Sequence, residues 1–111
     1  MSHWIDVGTL EDIPPLGARV VKSRRGDIAV FRTADDEVFA LYDRCPHRGG
    51  PLSQGIVHGK AVACPLHNWN IDLNTGQVMG PDTGCARAVP VALADGVVRL
   101  FLEAEATGTD G

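Results

Sequence analysis

The stretch "RCPHRGG", residues 44–50, and its echo "CPLHNW", residues 64–69, decide how this chain is read. Cys45 and His47 are one residue apart, Cys64 and His67 two apart, and residues 48 to 63 lie between the pairs. Each pair is set among prolines and glycines, which fix the backbone or let it approach closely, so both pairs are expected on loops whose side chains converge. A lone cysteine or histidine is ordinarily a small buried hydrophobe or a hydrogen-bonded imidazole. Two matched pairs call for a common object that takes one thiolate and one imidazole from each loop.

Three chemistries accept such a set. A Cys–His catalytic dyad uses one nucleophile and one base and leaves the duplication unexplained. A structural zinc takes two cysteines and two histidines tetrahedrally, but the usual knuckle spaces its cysteines two to four apart, and Cys-x-His is tight for it. A two-iron cluster with two cysteines on one iron and two histidines on the other needs one ligand of each kind per loop, and so accounts for the pairing.

Between the pairs, "GIVHGKAVAC" reads as a hairpin turning at residues 58–60, which would carry the two loops close together. Further out, short β-type runs recur: Ala18–Lys22, Ile28–Arg32, Val38–Tyr42, Ala86–Leu93 and Val97–Leu102. "SRRGD", "ADDE" and "ADG" supply the turns between them. The expected class is all-β, an antiparallel sandwich or barrel base bearing a small subdomain of two loops. The one helical signal is a single turn over Thr9–Ile13, capped by Thr9 and stopped by Pro14 and Pro15. From residue 45 to residue 81 the strands shrink and Gly and Pro crowd, which marks the functional region.

The chain has 111 residues and a net charge of −4, enough for one domain and without the basic balance that nucleic acid or anionic lipid would attract. No nucleic acid and no membrane are expected as partners. The start, "MSHWIDVGTLEDIPP", has no basic-then-apolar pattern, no apolar run is long enough to span a bilayer, and three cysteines are too few and too odd for a disulfide framework. These features point to the cytoplasm. The domain is expected over residues 1–103, its cluster-binding part over about 43–82, with a loose tail at 104–111.

Cys45-Pro-His47 and Cys64-Pro-Leu-His67 resemble the C-x-H…C-x-x-H motif of the Rieske iron–sulfur domain. "GGPLSQG" (49–55), "IDLNTG" (71–76) and "GPDTG" (80–84) are similar to the segments that follow each ligand pair and to the proline loop covering the cluster. The resemblance implies one Rieske-type [2Fe–2S] cluster per chain, with Cys45, His47, Cys64 and His67 as its ligands and no catalytic residues of its own. Within the family, "CPHRGGPLSQG", "CPLHNW", "IDLNTG" and "GPDTGC" most resemble the small subunits of assimilatory NAD(P)H-dependent nitrite reductases, which reduce nitrite to ammonia. The partner this implies is a large subunit carrying FAD, sirohaem and an iron–sulfur centre, since this chain has no G-x-G-x-x-G for a dinucleotide. The alternative is a stand-alone Rieske ferredoxin donating electrons to a ring-hydroxylating oxygenase. In those ferredoxins an "HGG"-like run is common where this chain has "HNW".

Respiratory Rieske proteins have an extra cysteine in each loop, at the places of Gly50 and Leu66, so no disulfide is expected here. Their serine and tyrosine donors to the cluster sulfurs correspond to Trp69 and Ile71, which have no hydroxyl, so the expected midpoint lies at the low end of the Rieske range, about −150 mV. Arg44, Arg48 and Lys60 are read as a basic rim or as ordinary surface charge. His58 is expected to be solvated, Trp69 to pack or to face a partner, and Cys85 to be a buried or semi-buried thiol.

Overall fold

The structure, a computed structural model, describes residues 2–23, 26–44, 51–65, 69–79 and 84–103. Ten strands and two short 3-10 turns make up these segments. β1 (Ser2–Thr9), β10 (Val97–Glu103) and β9 (Val91–Ala94) form one antiparallel sheet in the order β1-β10-β9. A second sheet runs β2 (Ala18–Ser23), β3 (Gly26–Arg32), β4 (Val38–Tyr42) and β8 (Ala88–Val89). The third is small and contains β5 (Ile56–His58), β6 (Ala61–Ala63) and β7 (Asn70–Asp72). Every strand pairing is antiparallel, and the all-β expectation holds.

β3 organises the packing. Ile28, Ala29, Val30 and Phe31 are all buried, and because successive side chains of a strand point to opposite faces they feed two separate cores. Ile28 and Val30 join Ile13, Ala40, Val89, Val98 and Leu100. Ala29 and Phe31 join Leu41, Leu52, Val57, Val62, Cys64, Ile71, Leu73 and Ala86. A strand covered on both sides reads as an unbroken apolar run, which is the pattern of "IAVF". The first core binds the second sheet to the β1-β10-β9 sheet, and the other binds it to the small sheet.

The turns follow their sequences. At "ADG", Asp95 and Gly96 both take positive φ, 53° and 79°, as a two-residue primed hairpin between Ala94 and Val97 requires. In the β3–β4 loop Asp36 adopts φ 63°, and buried Thr33 ties the turn by accepting the Glu37 N–H at its hydroxyl (3.1 Å).

Two expectations need correction. The N-terminal residues form a full strand, β1, which had no place in the sequence reading; its alternation of Ile5 and Val7 inward with Trp4 and Asp6 outward is interrupted by a register shift between Asp6 and Gly8. The run Ala86–Leu93 is two strands, because Pro90 has no N–H to continue the ladder on β4 and the chain changes sheets there, its carbonyl instead accepting from Phe101 N (3.0 Å). The single turn expected near Thr9 is a 3-10 turn over Leu10–Asp12 with Thr9 at its N-cap, and the Asp12 carboxylate returns the cap by accepting the Thr9 N–H at 2.9 Å.

Candidate metal centre

The β5–β6 hairpin has the place and form expected of it. His58 pairs with Ala61, so Gly59 and Lys60 are the turn, with Gly59 at φ 57°. The opposite end of the hairpin therefore holds Gly55, where the first ligand segment ends, beside Cys64, where the second begins. Register carries this further across the small sheet. Ile56, Ala63 and Asn70 lie opposite one another, and an isolated bridge from Ile71 to Val78 extends the ladder, so that Met79 N donates to Asn70 O at 2.8 Å. Three segments thus meet at one end of the small sheet: the return flank of the first segment at Gly55, the flanks Cys64 and Trp69 of the second, and Met79, the last described residue before Gly84.

The mouths of the three loops are closed in different ways. Both Asp43 carboxylate oxygens reach Ser53, one accepting the backbone N–H at 2.7 Å and the other the hydroxyl at 2.8 Å. Cys64 N donates to Trp69 O at 2.7 Å, a backbone bond across the second loop. Val78 N donates to Gly84 O at 3.0 Å across the third. Leu52, wholly buried in the same core as Cys64, pins the far flank of the first loop. Gly55 follows it so closely against β6 that a Cβ there would lie 2.1 Å from the carbonyl oxygen of Ala63.

Of the four ligand candidates, Cys64 is fully buried at the end of β6, while Cys45, His47 and His67 lie outside the described residues. The flanks that are described bring the two segments side by side at one sheet edge. That convergence, with a donor set of two thiols and two imidazoles, fits a cluster that needs one of each from both loops.

The remaining residues divide. Ile71 is fully buried in the core, and Trp69 packs half-buried against that core, so neither position places a hydroxyl there. Lys60 cannot belong to a rim around the loops: it sits in the turn at the opposite end of the hairpin, where its ammonium lies 3.4 Å from the Glu37 carboxylate. Arg44 is exposed beside the first loop, and Arg48 lies outside the described residues. His58 is exposed as expected, with its Nε2 2.9 Å from Asn70 Oδ1. Cys85 is corrected from buried to exposed. It bridges Gln77 while the next residue, Ala86, turns into the core, so strand alternation sends the thiol outward, its Sγ 3.3 Å from the Ala86 carbonyl oxygen. The Asp43–Ser53 link had no place in the sequence reading; an acid before the first ligand pair and a serine after it are too common to signal it.

The family model for the Rieske [2Fe–2S] domain matches residues 3–92. The chain belongs to the Rieske [2Fe–2S] domain family. Its cofactor is accordingly a Rieske-type [2Fe–2S] cluster, and its role is that of an oxidoreductase-type electron carrier. Among curated relatives, the anthranilate 1,2-dioxygenase ferredoxin subunit of Burkholderia cepacia is 38% identical over 105 residues, covering 90% of this chain and 93% of its own. The 3-phenylpropionate/cinnamic acid dioxygenase ferredoxin subunit of Photorhabdus laumondii is 38% identical over 101 residues, covering 89% and 94%. Among solved structures, one assigned as a nitrite reductase (NADPH) small subunit superimposes with a TM-score of 0.79 at 25% identity, covering 88% of this Rieske chain and 97% of its own. Among the described residues of this Rieske protein, no helix is long and apolar enough to cross a membrane.

Proposed function

We propose that Cys45 and Cys64 hold one iron of the cluster and His47 and His67 the other, and that the chain is the small subunit of a cytoplasmic NAD(P)H-dependent nitrite reductase. The domain in this reading is residues 1–103, with 104–111 as its tail. Bound there, the cluster supplies one-electron transfer at a potential above that of all-cysteine clusters, since two neutral imidazoles replace two thiolates. The chain's own residues do the rest: the small sheet presents the loops, Leu52 and Ile71 seal the core behind them, and Trp69 closes the second loop with its carbonyl while its ring packs inward.

The observation that carries the nitrite reductase role is this framing of the second loop. The tryptophan of "HNW" packs at the loop mouth where the glycines common in oxygenase ferredoxins would leave no ring, and the sequence "GPDTGC" follows as in those small subunits. The large subunit carrying FAD, sirohaem and an iron–sulfur centre then provides the six-electron chemistry that a one-electron carrier lacks. Purification of the chain from its native cells, with analysis of what accompanies it, tests this. A sirohaem flavoprotein in stoichiometric amount is the expected companion; transfer of electrons to an oxygenase without such a companion sinks the assignment.

A second role, ferredoxin to a ring-hydroxylating oxygenase, has its own support in the 38% identity to two dioxygenase ferredoxin subunits over nearly the full length of both chains. Either role predicts a cluster without hydroxyl donors at positions 69 and 71, with a midpoint of about −150 mV. Potentiometric titration followed by EPR checks this, and a midpoint above zero contradicts it.

A further inference from the structure

We infer that Asp43 is a positioning residue for the cluster, acting through Ser53 to tie together the two flanks of the first ligand segment; this rests on the assignment of Cys45 and His47 as ligands. Asp43 and Ser53 are ten residues apart in sequence, and the segment between them contains both proposed ligands of the first loop. Asp43 is itself fixed, since it directly follows β4 and its N–H donates to Asp27 O at 2.8 Å. Ser53 is fixed from the other side. It stands in the 3-10 turn Leu52–Gln54, whose Leu52 is wholly buried and whose backbone closes through Gln54 N to Pro51 O (3.0 Å) and Gly55 N to Leu52 O (2.9 Å).

Between these two anchored points the carboxylate makes both of its bonds to one residue, 2.7 Å to the N–H and 2.8 Å to the hydroxyl. A chain segment whose ends are held together has already given up its closure entropy, so its ligands dissociate less readily from a bound metal than those of an open loop. The second loop needs no such side chain, because Cys64 N and Trp69 O close it through the backbone. Among the described residues the flanks of the first segment are joined through the Asp43 side chain and not by a backbone bond between Asp43 and Ser53, so this tie can be removed by substitution.

The test uses the cluster-loaded full chain and follows iron release to a ferrous chelator, alongside the EPR spectrum of the reduced cluster and the thermal unfolding of the β base by circular dichroism. Asp43→Ala removes two charge-assisted hydrogen bonds and is expected to speed iron release about tenfold or more. Asp43→Asn keeps an acceptor for the Ser53 N–H and offers its amide N–H to the Ser53 hydroxyl, so it is expected to restore slow release and the parent EPR line shape. Ser53→Ala, which keeps the backbone bond, should fall between. Should Asp43→Ala fail to load with cluster, the Asp43→Asn and Ser53→Ala pair still decides.

Release from Asp43→Ala or Ser53→Ala at the parent rate overturns the inference, as does release from Asp43→Asn as fast as from Asp43→Ala. An unfolding temperature that falls in step with every change in release rate also overturns it, since the effect would then be on the fold as a whole. Cys45→Ser serves as the control on the ligand assignment: full retention of the parent cluster in that variant overturns the assignment itself, and is distinguishable from a failure of the clamp.

Discussion

The two Cys/His segments carry matching side chains, but their flanks are tied by different kinds of bond. The flanks of the second are joined by a main-chain hydrogen bond from Cys64 to Trp69, which any residue but proline at position 64 can make; among the described residues, those of the first are joined by one carboxylate, Asp43, reaching Ser53. The loops also differ in what lies behind them. The second springs directly from strands of the small sheet, whereas the first leaves the β3–β4 sheet and returns through a 3-10 turn anchored by Leu52.

The sharpest way to break the contrast is at the donors, where the loops should be equivalent. Cys45→Ser and Cys64→Ser are each expected to abolish the intact cluster, seen as loss of visible absorption and of stoichiometric iron and sulfide. If only Cys64→Ser did so, the pairing of the loops would fail. Next in size is Ile71→Ala, which empties a wholly buried position behind the second loop and should cost about 2–5 kcal/mol in urea unfolding. Gly55→Ala probes the first loop's return flank. Its Cβ would meet the Ala63 carbonyl oxygen at 2.1 Å, and backbone must move, at about 1–3 kcal/mol of stability and with faster iron loss than the parent. The smallest effect belongs to His58→Ala on the outer face of the small sheet, where an exposed hydrogen bond to Asn70 is lost; stability should stay within about 0.5 kcal/mol, and the cluster should be unaffected.

Much of this was legible along the chain. Val38–Tyr42 has the bounds its sequence predicts, and β2, β3 and β10 differ from expectation by only one or two residues at an end, because alternation and turn residues act locally. The hairpin that joins the two loops was legible for the same reason, its glycine being the residue that a positive φ requires. β1 escaped notice: its exposed Trp4 stacks on Phe101 of the neighbouring strand at 5.1 Å between ring centroids, and a register shift after Asp6 blurs the period. The exposure of Cys85 was misjudged because a thiol's burial depends on strand parity, and a short bridged segment has no alternation long enough to reveal it.

By itself the sequence determined two Cys/His pairs with their spacing among glycines and prolines, and the all-β class, since each is a property of neighbouring residues. Tertiary structure alone decided that both faces of β3 are covered, that Lys60 lies at the end of the hairpin away from the loops, and that Asp43 meets Ser53 across the first loop. Those outcomes depend on strand register and on which sheets stack, and pairing energies between residues distant in sequence leave no mark on the local pattern from which a chain is read.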